Sequence, residues 1–173
     1  MRREELQALQ APLKQRYRDD PRTGLITLRA EGELGEADVS CSVQTGRALV
    51  QAGLHPASGG DGSLACSGDM LLHALVACAG VTLKSVAVNR DIVLTGGRIT
   101  AEGELDFRGT MGVDHAAPVG FRAIRLMFEL QPELDPEELE RLLALTEHYC
   151  VIYQTLVHGV PMTVSARRPR DVG

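Results

Sequence analysis

The stretch from Met70 to Leu83, Met-Leu-Leu-His-Ala-Leu-Val-Ala-Cys-Ala-Gly-Val-Thr-Leu, constrains the fold more than any other part of the chain. Only His73, Gly80 and Thr82 interrupt its apolar character, and it carries no full charge. A spanning helix needs about 20 apolar residues, so this run is too short to cross a bilayer. A helix that is apolar on every side belongs in the centre of a folded core. Its middle holds Cys78, where a core could as readily use valine or alanine. The rest of the chain has to be arranged around a core helix with a thiol in it.

With 173 residues the chain is long enough to bury such a helix. A single domain over residues 23–173 is expected, preceded by an amino-terminal arm over residues 1–22. Tryptophan is absent and aromatics make up 3% of the residues, so the core relies on Leu, Val, Ile and Ala. A net charge of -5 gives no reason to expect a nucleic-acid partner. No apolar stretch follows the charges of Met1-Arg2-Arg3-Glu4-Glu5-Leu6-Gln7, so no secretory leader is expected and a cytoplasmic, reducing location is the default. Cysteines there are more often free, metal-bound or redox-active than bridged. The four present, Cys41, Cys66, Cys78 and Cys150, form no C-x-x-C pair.

In the arm, Leu6, Leu9, Leu13 and Tyr17 recur at roughly helical spacing, and Pro12 should break or kink the helix. Packing on a partner subunit and loose attachment both remain open for it. After a turn at residues 19–24, Ile26, Leu28 and Ala30 alternate with Thr27, Arg29 and Glu31 in a half-buried strand over residues 25–33. A second strand over residues 38–44 puts Val39, Cys41 and Val43 on one face, so Cys41 reads as a small core hydrophobe. A short strand is expected near residues 47–51. The remainder of the glycine-rich segment, around residues 55–63, is a long loop suited to a lid or pocket wall. It lacks the Gly-Lys-Ser/Thr of a phosphate loop.

Ser67 or Asp69 is expected to cap the central helix, which should run on to about Asn89. Over residues 98–108, Ile99, Ala101, Gly103, Leu105 and Phe107 alternate with Thr100, Glu102, Glu104, Asp106 and Arg108. A further strand places Ile124, Leu126, Phe128 and Leu130 inward, and the two suggest an antiparallel sheet covered on one side. Asp135, Pro136 and Glu138 then open a second helix with a capping box. Leu139, Leu142, Leu143, Thr146 and Cys150 share one of its faces. A helical turn through Leu156, stopped by Gly159, precedes a final strand at Val160, Met162 and Val164 and a polar tail.

Cys78 and Cys150 thus point inward from two helices packed on one sheet. Bridging them needs Cα atoms within about 7 Å. Periodicity leaves open whether they meet or are two unrelated buried thiols. If they meet, one thiolate can be oxidised to a sulfenic acid and the other can condense with it. Cys66, just before the helix, is the other candidate reactive thiol. His73 lies about 140° around the helix from Cys78, and His148 about 200° from Cys150, so neither pair shares a metal and no metal or cofactor is expected. His115 and His158 fall in turns, and no serine nucleophile elbow is present.

The segment Asp69-Met70-Leu71-Leu72-His73-Ala74-Leu75-Val76-Ala77-Cys78-Ala79-Gly80-Val81-Thr82-Leu83 resembles the helix signature of the OsmC/Ohr family, the osmotically inducible and organic hydroperoxide resistance proteins. There an acidic residue precedes a Leu/Ala-rich stretch ending in the reactive cysteine. Leu105-Asp106-Phe107-Arg108-Gly109 with Gly120-Phe121-Arg122-Ala123-Ile124 resembles the family's paired strands. The run from Glu147 to Leu156 resembles the segment carrying its second cysteine. The likeness extends over roughly residues 24–166 and points to the general OsmC-like branch.

This resemblance implies an α+β, OsmC-like fold: antiparallel sheets packed around two main helices, with two chains intertwined as a homodimer and active sites at the subunit interface. It implies a thiol peroxidase that reduces organic hydroperoxides, with Cys78 attacking the peroxide, Cys150 resolving, and a dithiol such as dihydrolipoamide as reductant. No nucleic acid or membrane is implied as a partner. The peroxidase members activate their cysteine with an arginine–carboxylate pair. Asp69 stands near the carboxylate position, one methylene shorter than the usual glutamate. The stretch Ala30-Glu31-Gly32-Glu33-Leu34-Gly35-Glu36 lacks their glycine-arginine turn, leaving Arg29 and Arg47 as substitutes, and Val151 replaces the proline that often follows the second cysteine. A second reading keeps fold and thiols but binds a small apolar ligand or senses oxidants, with little peroxidase turnover.

Overall fold

The computed structural model describes residues 2–5, 7, 8, 11, 15, 19, 20, 32–34, 40–45, 48–112 and 114–166, with the backbone alone at 32–34, 40–45, 48 and 49. In chain order these form β1 (Gly32–Leu34), β2 (Ser40–Thr45), β3 (Ala48–Gly53), a 3-10 turn (Pro56–Ser58), β4 (Ala65–Cys66), α1 (Ser67–Asn89), β5 (Gly96–Leu105), α2 (Phe107–Thr110), β6 (Phe121–Gln131), α3 (Pro136–Tyr149) and α4 (Val151–His158). Helices and strands are mixed as the sequence suggests, with α1 and α3 the long helices.

One sheet has the order β1-β2-β3-β4, and β5 and β6 form a second. The β1–β2 and β2–β3 pairs are antiparallel, but β4 runs parallel to β3, which the all-antiparallel expectation did not anticipate. The reason is the loop between them, which carries the chain back so that β4 runs alongside β3 in the same direction. That loop is held locally: the His55 ring accepts from the Ala57 amide at 3.0 Å, and Gly59 takes a positive φ of 97°. The strand expected over residues 25–33 is described only at its end, in β1. Cys41 lies in β2, and its side chain is outside the described residues, as are Arg29 and Arg47.

The expected cap of α1 is corrected. The helix begins at Ser67 straight out of β4, so Cys66 occupies the N-cap, without a side-chain cap hydrogen bond. Its end falls at Asn89 as expected. There the Ile92 amide bonds the Ala87 carbonyl at 2.9 Å and the Asp91 amide the Val88 carbonyl at 3.3 Å, closing the helix with the paired hydrogen bonds of a Schellman motif. Asp91 supplies the left-handed residue, φ 58°, where glycine is the usual choice. At 23 residues and mean hydropathy 1.8, α1 is long enough to cross a membrane by length and composition, more so than the apolar run inside it. Only a stripe is buried: Leu75, Ala79, Leu83 and Ala87, at four-residue spacing. That stripe packs on α3 and β5, and Leu83, Ala87, Leu94 and Leu142 form the core cluster, flanked by Ile99, Phe128 and Leu130. Gly80 permits the approach of β5, since a Cβ there would come within 3.2 Å of Ile99.

The β5–β6 hairpin keeps its inward alternation at Ile124, Leu126, Phe128 and Leu130. However, β5 stops at Leu105 and not at Arg108. Asp106 caps α2 by accepting from the Arg108 amide at 3.1 Å and pairs with the Arg108 guanidinium at 2.6 Å. Phe107 therefore leaves the strand and stacks on His55, with ring centroids 5.0 Å apart. Gly103 is needed where it is, because a Cβ would come within 2.3 Å of the Phe121 ring.

In the arm, residues 3–5, 7, 8, 11, 15 and 19 are helical, while Leu6, Leu9, Pro12, Leu13 and Tyr17 lie outside the described residues. Arg3 pairs with Asp91, which fixes the start of the arm against the far end of α1 in the same chain. The final strand does not form. Val160, Met162 and Val164 are 57%, 85% and 96% exposed, and among the described residues no strand lies alongside to complete their ladder.

Candidate functional site: a thiol pair at a helix junction

Cys78 sits in the middle of α1, one residue before Ala79 of the buried stripe, on the side where α1 meets α4. Cys150 is the residue at which α3 ends and α4 begins. Its amide still bonds the Thr146 carbonyl at 2.9 Å, but its backbone is extended, with φ -76° and ψ 108°. The chain kinks there and re-enters a helix at once. The face of α3 that the sequence marks as apolar delivers Cys150 into the interior, 1% exposed.

A helix leaves its first amides without intrahelical partners, and α4 has no side-chain cap to take them. The amides of Val151 and Ile152 instead face Cys78, together with the Thr82 hydroxyl and the Cys150 thiol. Burial pushes the Cys78 thiol up. Hydrogen bonding from the Ile152 amide, the Cys150 thiol, the Val151 amide and Thr82 outweighs that, leaving it below the ordinary thiol value. Cys150 goes the other way. Burial raises it first, and the neighbouring Cys78 adds to this, against the lowering contact of the Tyr153 amide. The negative charge therefore settles on Cys78 and the proton on Cys150. Both thiols are free and within hydrogen-bonding reach of each other.

The other expected site residues lie elsewhere. Asp69 is exposed in the first turn of α1. Nine residues of helix put it about 14 Å from Cys78 and on the opposite face, so within one chain its carboxylate does not reach the thiol. Cys66 is half-buried, about 18 Å along α1 from Cys78. It lines a separate cavity of about 390 Å³ with His55, Phe107 and Phe121. The glycine-rich loop, read from the sequence as a lid or pocket wall, borders that cavity through Leu54, His55 and Ser58. Among the described residues no group of three or more His, Cys, Asp or Glu is placed to hold a metal ion.

A larger cavity of about 680 Å³ lies between α1 and α3, beginning beside the pair at Thr82 and Tyr149. Thr82 is a site residue the sequence reading passed over. Its position four residues after Cys78, one turn along the same face, was the available signal.

A family model described as OsmC-like protein matches residues 60–165, most of the chain and both thiols. The chain belongs to the OsmC-like family. The fold agrees with solved structures of OsmC/Ohr proteins. An OsmC-like protein from Mycoplasma pneumoniae superimposes with a TM-score of 0.65 at 18% identity, covering 78% of this chain and 89% of that one. An organic hydroperoxide resistance protein OsmC from Legionella pneumophila gives 0.60 at 21%, covering 78% and 91%. The organic hydroperoxide resistance protein OhrB of Bacillus subtilis gives 0.56 at 19%, covering 78% and 92%. No curated protein matches the sequence.

Proposed function

We propose that this OsmC-like protein is a thiol peroxidase that reduces organic hydroperoxides through Cys78 and Cys150. The observation that carries the reading is that Cys78 and Cys150 lie within hydrogen-bonding reach of each other, with the first amides of α4 and the Thr82 hydroxyl facing Cys78, the arrangement a nucleophile and its resolving partner need. The Cys78 thiolate attacks the outer peroxide oxygen, the O–O bond breaks, and a proton converts the departing alkoxide to an alcohol. Cys78 is left as a sulfenic acid. The Cys150 sulfur then attacks it, forming the Cys78–Cys150 disulfide and releasing water. A dithiol such as dihydrolipoamide reduces that bridge and leaves as its cyclic disulfide. The names of the Legionella and Bacillus structures, both organic hydroperoxide resistance proteins, support this substrate class.

The working form is a homodimer in the cytoplasm, with no nucleic-acid or membrane partner. Support for the second copy comes from apolar side chains near the site that one chain leaves open, including Val81 at 74% and Val151 at 68% exposure. The carboxylate role expected for Asp69 has no support within one chain, and the Val151 and Ile152 amides take over the activation. That Asp69 does not reach Cys78 within one chain favours the second reading, an oxidant sensor or ligand-binding protein with little turnover. Hydroperoxide consumption with dihydrolipoamide separates the two. The wild type should turn over cumene hydroperoxide, Cys78→Ser should not, and Cys150→Ser should stop after one equivalent. Turnover no faster than that of the free dithiol would remove the peroxidase reading.

A further inference from the structure

The hydrogen-bond ladder of α3 stops and resumes around Cys150, and the break has two sides. The Cys150 amide bonds the Thr146 carbonyl and the Gln154 amide bonds the Cys150 carbonyl, both at 2.9 Å. Between them the amides of Val151, Ile152 and Tyr153 turn to the two thiols. In a continuous helix each amide bonds the carbonyl four residues back, so Val151 would sit on Glu147. The Glu147 carbonyl instead accepts from the side-chain Nε2 of Gln154 at 2.9 Å. Seven residues of unbroken helix would part these two by about 10.5 Å along the axis, beyond the reach of a glutamine. That hydrogen bond therefore exists only in the kinked form.

The two partners of that carbonyl exclude each other, since the Val151 amide reaches it only in a straight helix and Gln154 only in the kink. A protonated thiol is a weak acceptor, so neutral Cys78 does not by itself hold the Val151 amide away from a carbonyl. Nor is α4 held by buried side chains. It has eight residues, none of them buried, a length at which a helix on its own is marginal. Proline at position 151 would settle the competition by removing the donor, but this chain has valine there. We propose that Gln154 is a positioning residue for the thiol site: by occupying the Glu147 carbonyl it keeps the α3–α4 junction kinked and the Val151 amide on Cys78. This role belongs to the site of the peroxidase reading but rests only on where the α4 amides point, not on peroxide turnover.

The test follows iodoacetamide alkylation of Cys78 against pH in the reduced full-length protein, resolved by peptide mass, with thermal melting alongside. Gln154→Ala and Gln154→Leu both remove the donor, the first with loss of bulk and the second without. One hydrogen bond of this kind shifts a local equilibrium by about fivefold, so both variants should slow alkylation at neutral pH by a factor of about 2 to 5. The Cys78 inflection should move upward with it. On a Val151→Pro background the competing amide is gone, so adding Gln154→Leu should change the Cys78 profile no further. An unmoved inflection in either single variant overturns the proposal, whether or not melting falls, because a merely structural role would lower stability alone. An additive shift on the proline background overturns it too, since Gln154 would then act on Cys78 by another route. If the wild type consumes no hydroperoxide, the peroxidase reading falls while the alkylation profiles still decide on Gln154.

Discussion

Cys78 and Cys150 are the same side chain on either side of one contact, yet the fold drives them in opposite directions. Burial raises both. Amides of α4 lower both, so what separates them is their mutual contact, which lowers Cys78 and raises Cys150, together with the Thr82 hydroxyl at Cys78. Cys78, reaching across from α1, meets the Val151 and Ile152 amides, as a side-chain cap on α4 would. Cys150 is the helix's own N-cap residue, buried, its amide bonded to the Thr146 carbonyl, with the Cys78 thiol beside it. The lesson is that backbone amides, like a guanidinium, can favour the thiolate form of a core thiol. Uncapped helix amides supply the same field at fixed distance, without a long side chain to order.

That contrast can be broken most severely from the packing side. Leu142, 1% exposed, holds α3 against α1 two turns before Cys150. Leu142→Ala should cost about 2–5 kcal/mol of stability. It should also let water reach Cys150 and narrow the difference between the thiols. Urea denaturation measures the first effect and pH-dependent alkylation the second.

A sharper cut is Val151→Pro. Proline is at home in the first position of a helix, and the extended backbone of Cys150 suits the residue before a proline. The fold should survive, but one amide donor to Cys78 is gone. Iodoacetamide should then modify Cys78 several times more slowly at neutral pH, with Cys150 little changed. An unaltered Cys78 rate would mean that the Val151 amide plays no part. Thr82→Val removes a single hydroxyl, worth about 1 kcal/mol at most in such a contact. The expected loss of thiolate at Cys78 is a few-fold, readable in the same assay and smaller than that of Val151→Pro.

The two long helices and the β5–β6 hairpin were legible in the sequence because each rests on periodicity, whereas periodicity left open whether Cys78 and Cys150 meet and only the family resemblance implied a pair. The end of β5 was not, since the alternation continues through Phe107 and only the Asp106-to-Arg108 turn chemistry stops it. The cap of α1 was missed because a strand runs directly into the helix and leaves Ser67 no position outside it. The final strand failed for a different reason. Val160, Met162 and Val164 alternate correctly, but a strand is a pairing property, and one chain offers no partner among its described residues. The activating group was the least legible. Backbone amides have no letter in a sequence, so the donors that α4 turns toward Cys78 could not be read from it, while Arg29 and Arg47 lie outside the described residues.

The two thiols also leave opposite marks on stability. Cys78, lowered in the folded state, contributes stability above the ordinary thiol value and loses it as pH falls through its folded value. Cys150, raised, contributes below the ordinary value and loses it as pH rises through its folded one.

The most direct measurement is the rate of alkylation at each cysteine as a function of pH, resolved by peptide mass. The account predicts that Cys78 reacts with an inflection below that of an ordinary thiol and Cys150 with one above it, so that an interval of pH exists in which Cys78 alone is modified. Coincident inflections, or Cys150 reacting at the lower pH, would contradict it.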